Sequence, residues 1–471
     1  MKKNLKQWFC LVLSLLLAFA LLPASAESAE ETASWKEKTL EAYAREDYEA
    51  ALEYILPAAD AGDPDAQCEA AYLYLFGMGT EPSVEKAMAY FRLAAEQGYP
   101  EGLLNVGLAH LNGTDPVQSA EKAAEYIIPA AEQGYARAQY ILATLYQAGN
   151  GVEQSDEKAA AYYRLAAEQG DADAQAQLAD CYIYAIGVEQ DPEKAAEYAR
   201  LSAEQGNARG RFYMGWFCQE GIGMEKDLEK AAEYYRLSAE QGNLFAWNNL
   251  GWMYDIGEGV EQDYEQAAEC YRQAADQGFS LAQVNLGNLY WNGLGVEEDF
   301  EKAFEYFSLA AAQGDPEGQV YLGVMYELGE GVEPSVEKAV EYYRMAAEQG
   351  YALAQTYMGE MYEFGNGVPQ SWEKALEYYL LSSAQGEPRG QFDMGDLYYY
   401  GNGVEQNYEK AAEYYSLSAG QDYADALYSL GLMYMNGEGV EQSDEMALDC
   451  LRRAAEQGHA EAALELEYYG K

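Results

Sequence analysis

The chain has 471 residues, with 80 acidic against 29 basic side chains and a formal net charge of −51. That balance argues against nucleic acid and anionic lipid as partners, since binding to phosphates rests on neutralising them with Lys and Arg. It suits solubility and basic partners. Apolar residues make up 49% and Tyr alone numbers 44, which points to a large buried core rather than to an acidic disordered chain.

Lys2, Lys3 and Lys6 precede an apolar run from Trp8 to Leu22, and then come Pro23-Ala24-Ser25-Ala26. A positive segment, a short apolar segment and an Ala-x-Ala site read as a secretory signal peptide over residues 1–26. The alternative is a membrane anchor, which needs roughly 20 apolar residues, and this run holds fifteen. Cys10 lies inside the run with no small-residue box at a cleavage point, which argues against a lipid anchor. Cleavage removes three lysines and no acid, leaving 26 basic (29 − 3) against 80 acidic residues and a charge of −54. The expectation is an exported protein, secreted or in the cell envelope, with no membrane insertion after cleavage.

An acidic N-terminal segment and capping hairpin then occupy 27–62. Within it Trp35 to Gly62 has the look of a shortened hairpin, with Asp47, Ala51 and Tyr54 at positions that recur every 36 residues along the rest of the chain. Gly62, Gly98, Gly134, Gly170, Gly206, Gly242, Gly278, Gly314, Gly350, Gly386 and Gly458 lie on one 36-residue lattice, and Asp422 takes the missing point. Units counted from the residue after each Gly give eleven repeats over 63–458 without an insertion or deletion. A fixed period in this range is the signature of a solenoid.

Residues 315–350 show the logic of one unit. Asp315-Pro316 supplies an N-cap and a Pro at the first helical position, and Gly318, Leu322, Gly323 and Tyr326 come next at helical spacing. The Gly329-Glu330-Gly331-Val332 turn stops this first helix. Ser335 caps the second, Glu337 sits in its positive first turn, and Ala339, Tyr342, Tyr343, Ala346 and Ala347 form its buried stripe. Gly350 ends it in the left-handed conformation, for which Asp422 is a tolerable substitute. Position 25 is Ala in all eleven units, position 4 is always Ala or Gly, and position 9 is Gly in eight and Ala in three. Small residues let helices approach closely, and Tyr at positions 12 and 28 is expected to fill the gaps between hairpins. One hairpin cannot bury both faces, so neighbours must stack. Pro57 and Pro129 share position 31 and are expected to kink the second helix there. His459 to Tyr469 reads as a lone capping helix within 459–471.

The run Ala246 to Val260 fits A-x-x-x-L-G-x-M-Y-x-x-G-x-G-V, with Trp252 in a variable slot. The run Asp227 to Gly242 fits D-x-E-K-A-A-E-Y-Y-R-L-A-A-E-Q-G with Ser238 in one Ala place. This pattern resembles the Sel1-like repeat family, a relative of the tetratricopeptide repeats, over nearly the whole mature chain. The resemblance implies an all-α fold, a right-handed superhelical solenoid of antiparallel helix pairs. It implies an adaptor that assembles or regulates protein complexes, and some bacterial members are exported.

Residues that could carry chemistry have plainer readings. The Gly-x-Gly turns recur in every unit but two, at Gly113-Thr114-Asp115 and Ala185-Ile186-Gly187, and no strand precedes them, so they are interhelix turns rather than phosphate cradles. Acidic turns such as Glu258 to Asp263 lack the alternating ladder of an EF-hand loop. His110 takes the Tyr slot at position 12, His459 lies apart in the last turn, and neither has partners for a triad or zinc site. Cys68, Cys181, Cys218, Cys270 and Cys450 remain after cleavage, and the last three replace Tyr at positions 12, 28 and 28, as small buried hydrophobes would. No enzyme activity, cofactor or metal is expected.

By analogy with tetratricopeptide solenoids, first helices line the concave face, with positions 3, 7, 10 and 14 pointing into a groove. At both ends this ladder is acidic or small, as at Asp65, Glu69, Asp173, Asp180, Asp393 and Asp396. In the middle it turns aromatic and amide-rich. The candidate ligand-binding residues are Tyr213, Trp216, Phe245, Asn249, Trp252, Asn285, Asn288, Asn292 and Tyr321, with Leu281 in the same ladder and Trp247 and Trp291 beside it. Trp247 also fits a partly buried position 5, usually Gln. Trp216 and Trp252 occupy position 10, whose tolerance of Thr, Asp, Asn and Glu is unlike a core site. Aromatics offer contact area and Asn amides pair with an extended backbone, so a protein or peptide is the leading ligand, a basic one being favoured by the charge. A cell-wall or host glycan is the rival, and a passive spacer the third reading.

Overall fold

The computed structural model describes residues 26–113 and 118–469, with side chains described from Trp35 to Glu467 outside 114–117. The expected signal peptide, apart from its last residue, lies outside the described residues. Among those described, 25 α-helices and no strand occur, and no helix is long and apolar enough to cross a membrane. The chain divides into two compact units, one running to Lys226 and one from Asp227. The first holds helices Ala26–Ala44 through Ala208–Glu220 and the second Leu228–Ala239 through Ala460–Tyr469. The division falls in the turn of the fifth repeat.

Local chemistry places each helix where the sequence reading does. In the eighth repeat Asp315 Oδ1 accepts from Glu317 and Gly318 N–H, and the first helix is Pro316–Leu328. Gly329 ends it at φ 75°, and Ser335 Oγ accepts from Lys338 N–H to start Val336–Glu348. Asp422 holds φ 60° at the one lattice point without Gly. The second turn glycine does something no local reading supplies. A Cβ on Gly331 would stand 2.2 Å from the Phe300 carbonyl oxygen, so the turn rests directly on the preceding repeat's second helix.

Close approach also explains position 9. A Cβ on Gly323 or Gly359 would lie 2.4 Å from Cε1 of Tyr343 or Tyr379, and these rings at position 29 are fully buried. Position 29 is therefore the main filler of the core, often met by position 7 of the next repeat. Tyr357 stacks on Tyr343 at 4.7 Å, and Tyr321 on Phe307 at 4.7 Å. This corrects the expectation for positions 12 and 28, whose rings stack within one hairpin, as Tyr326 and Tyr342 do at 5.8 Å. Position 28 there is only half-buried, because its outer face meets solvent, while Lys338 Nζ lies 4.6 Å from the Tyr326 ring.

On the other side a Gln side chain ties one repeat to the next and is itself held by a second Gln of its own repeat. Gln283 donates to the Ala275 carbonyl of the preceding repeat at 3.2 Å and accepts from Gln313 at 2.8 Å. The same Gln–Gln pair recurs, for example from Gln349 to Gln319 and from Gln385 to Gln355. Trp247 replaces this Gln in the sixth repeat and packs half-buried against the core, as the plainer reading of that residue had it.

Two terminal expectations change in detail. The N-terminal hairpin pairs Ala26–Ala44 with Tyr48–Asp60, so its first helix begins well before Trp35 and is not short. What is short is the turn, closed by Glu46 at φ 55°. His459 accepts from Ala462 N–H and stacks on Tyr428, so it caps the final helix. Helices Tyr48–Asp60 and Ala120–Glu132 run their full 13 residues through Pro57 and Pro129, which sit close enough to the C-terminal ends to interrupt little of the hydrogen-bond ladder.

Candidate binding face

Within each unit the close approaches between next-but-one helices join first helices to first helices, as with Pro316–Leu328 and Ala352–Phe364. First helices therefore converge, and their outward positions form the inner face of the stack. The register is regular. Position 10 of one repeat meets position 3 of the next: Tyr72 donates to Glu101 at 3.1 Å, and Arg209 pairs with Asp180 at 2.6 Å. Arg389 pairs with Glu360 at 2.6 Å in the same way. Position 7 reaches position 10 of the preceding repeat, as Asn105 does to Tyr72 at 2.9 Å.

This register sorts the candidate residues into two kinds. Tyr213 is buried, donates to Asp180 at 2.5 Å and accepts from Arg209 at 3.3 Å. It stitches the fourth and fifth repeats rather than facing a groove, which corrects its assignment to the open ladder. Desolvation raises its phenol well above the usual range, the nearby Arg209 opposing. Trp216, in the same first unit, is half-buried among Tyr184, Tyr213 and Phe217, with ring centroids at 6.3, 6.5 and 5.4 Å.

In the second unit Asn285 donates to buried Asn248 at 3.0 Å. Tyr321, besides stacking on Phe307, meets Trp291 edge-on at 5.7 Å and is hydrogen-bonded by Asn288. These residues too join one repeat to the next, and Trp291 packs with them. Asn249 is half-buried, and exposed Asn292 turns its amide back to the Asn288 carbonyl at 2.8 Å. Two aromatics of the set stay open: Phe245 is 55% exposed and Trp252 37%. Leu281, 45% exposed, holds position 3 of the repeat after Trp252, the slot that faces position 10 in this register. Phe245 is steadied edge-on against half-buried Phe279 at 4.8 Å.

An apolar edge lies beyond these candidates. Position 14 carries Leu328, Phe364 and Tyr400 in three successive repeats, each at least 60% exposed. Their signal is in the ladder itself, which includes position 14, but it is weaker than the concentration of Trp in the middle repeats. No group of three or more His, Cys, Asp or Glu among the described residues is placed to hold a metal ion. All five described cysteines are buried, and burial pushes the thiols of Cys181 and Cys270 up to about 12. They pack as small hydrophobes rather than react.

The sequence profile described as Sel1 repeat matches twelve stretches: 42–63, 64–99, 100–135, 136–171, 172–207, 208–243, 246–279, 280–315, 316–351, 352–387, 388–423 and 424–459. Eleven follow the lattice units with slightly different bounds, and the twelfth falls in the N-terminal capping hairpin. Among solved structures, a protective antigen present in uropathogenic Escherichia coli strains, displaying an SLR fold, is 35% identical. It has a TM-score of 0.67, with 88% of this chain and 89% of that one covered. A Sel1 repeat protein from Oxalobacter formigenes is 33% identical, with a TM-score of 0.47 and coverage of 65% and 89%. No curated protein sequence matches the chain.

Proposed function

We infer that this chain, which belongs to the Sel1 repeat family, is an exported scaffold that binds a protein or peptide along the inner face of its first helices. In the second unit the contact centres on Phe245 and Trp252, with Asn249 and Asn292 at hand for polar contacts. The observation that carries this reading is the exposure of Phe245 and Trp252, where the other candidate aromatics, Tyr213, Trp216 and Tyr321, are buried or half-buried between repeats. Exposed large aromatics on a rigid helix lose little conformational freedom on binding, and such residues dominate interface energetics. Helical repeat stacks offer an extended inner surface of this kind. Export rests on the charged, apolar and Ala-x-Ala segments of residues 1–26.

A glycan ligand is the second reading, because the same exposed Trp ring would serve as a sugar platform. The test is capture of partners by the mature protein, with and without soluble cell-wall polysaccharide. A protein partner retained against polysaccharide, and lost in a Phe245→Ala, Trp252→Ala double variant, supports the peptide reading. Displacement by polysaccharide alone supports the glycan reading, and capture indifferent to both removes the site.

A further inference from the structure

The inner face of the second unit carries more acid than its own cations answer. On helices Ala352–Phe364 and Pro388–Tyr400, Arg389 grips Glu360 with both arms, Nε to Oε1 at 2.6 Å and Nη2 to Oε2 at 2.8 Å. Its guanidinium lies 4.9 Å from the Tyr357 ring. That bidentate pair engages the cation nearest the cluster. One turn on, Oδ2 of Asp393 is sealed from solvent with no hydrogen-bond partner. Asp396 accepts from the Tyr415 hydroxyl, and Glu363 from Tyr379 at 2.7 Å.

The register shows what is missing. Where Asp180 or Glu360 stands at position 10, the next repeat supplies an Arg at position 3. Where Asp396 stands there, the next repeat supplies Asp425, another acid, which turns to His459 at 3.3 Å. A buried carboxylate without a partner is costly and is relieved by a proton or a cation. We propose that Glu360, Asp393 and Asp396 form a subsite for one cationic side chain, lysine or arginine, of a basic peptide bound along this face. The identity of the ligand rests on the peptide reading above.

Without a ligand the cluster takes up protons more readily than ordinary carboxylates do. Burial first, then neighbouring carboxylates, pushes Glu360 up to about 7, Asp396 up to about 6 and Asp393 well above its usual range. Arg389 opposes the shift at Glu360 and Asp393. The other acids facing the cluster are Glu327, Glu363, Glu387 and Asp425, all of which raise it. The hydroxyls around it belong to Tyr357, Tyr379, Tyr415 and Tyr423, whose own values lie above the usual phenol range. A cationic side chain entering the subsite therefore expels protons, and its affinity rises with pH from about 5 to 8.

The probe is tetra-arginine amide, titrated calorimetrically into the mature full-length protein in two buffers of different ionisation enthalpy. Expected are proton release at pH 6 and a loss of affinity of at least about tenfold in Asp393→Asn. Glu413→Gln, the same charge change at an exposed site, leaves affinity within about twofold. Asp396→Asn, which retains a hydrogen-bond acceptor for Tyr415, repeats the loss should Asp393→Asn fail to fold. Equal behaviour of the cluster and control variants, or binding without proton release, overturns the subsite. If Asp393→Asn keeps its affinity while Phe245→Ala, Trp252→Ala loses its captured partner, the subsite falls and the peptide reading stands. If the reverse holds, the cation subsite stands and the aromatic centre falls.

Discussion

Gly359→Ala sets helix propensity against packing in a single methyl group. In an isolated helix the change stabilises by about 0.5–1 kcal/mol. Gly359 lies in the middle of Ala352–Phe364, where the added Cβ would stand 2.4 Å from Cε1 and 2.6 Å from Cδ1 of Tyr379. That ring is fully buried, and its hydroxyl is held by Glu363 at 2.7 Å, so it has no free end to swing away. Forcing a methyl into such a site costs about 1–3 kcal/mol. Packing therefore wins, with a net loss of about 1–2 kcal/mol. For a domain of this size that lowers the melting temperature by about 2–8 °C. Gly420→Ala is the control. Gly420 has φ −62°, and the nearest atoms to its Cβ are carbonyls of its own preceding turn at 3.2 and 3.4 Å. It should melt at the same temperature or slightly higher. Circular dichroism melts and urea titrations read both. If the two substitutions shift stability in the same direction, position 9 is not the rigid contact described, and the reason for small residues there is lost.

The carboxylates with raised values give a pH dependence of definite sign. Glu101 and Glu360 are pushed up to about 7 and Asp396 to about 6, first by burial. Their contribution to stability is full below their unfolded values near 4 and is lost as pH rises through 6 to 7. Melting should be higher at pH 5 than at pH 8, and the opposite order would mean these acids are not buried. Trp252→Ala should cost no more than about 0.5–1 kcal/mol, since the ring is 37% exposed. Trp216→Ala should cost about 2–3 kcal/mol, given its three ring neighbours. Equal costs in denaturation would refute the distinction between them. N-terminal sequencing of the exported protein should begin at Glu27, and a product retaining Lys2 would refute cleavage.

The period, the caps and the small positions were legible because each is a local requirement repeated along the chain. An N-cap Asp or Ser, a Gly at φ > 0 and an Ala stripe declare themselves within a few residues. What the sequence hid is set by contacts between repeats. Position 7 looks like a surface position because it holds Tyr, Asn, Gln and Asp, yet Tyr213 and Tyr321 are fastened to position 10 of the preceding repeat. Polar residues that pair across an interface carry no hydrophobic period. Gly331 shows the same limit, since its turn is local but its close contact with the Phe300 carbonyl belongs to another repeat. For the candidate site, the tolerance of position 10 points to exposed Trp252 but misleads at half-buried Trp216. Five of the nine candidates, Tyr213, Trp216, Asn285, Asn288 and Tyr321, serve stacking between repeats instead.

A partner lying against the inner face of the second unit would be detected most directly by a photoreactive phenylalanine analogue. One protein carries it at Phe245 and a second, separate protein at Leu381. Leu381 is 49% exposed on the second helix of its hairpin, away from the inner face. Irradiation of cells exporting each protein should yield a crosslinked partner from position 245 and none from position 381, and Trp252→Ala should abolish the product. A partner crosslinked from 381 and not from 245, or a product from 245 indifferent to Trp252→Ala, would contradict binding at this face.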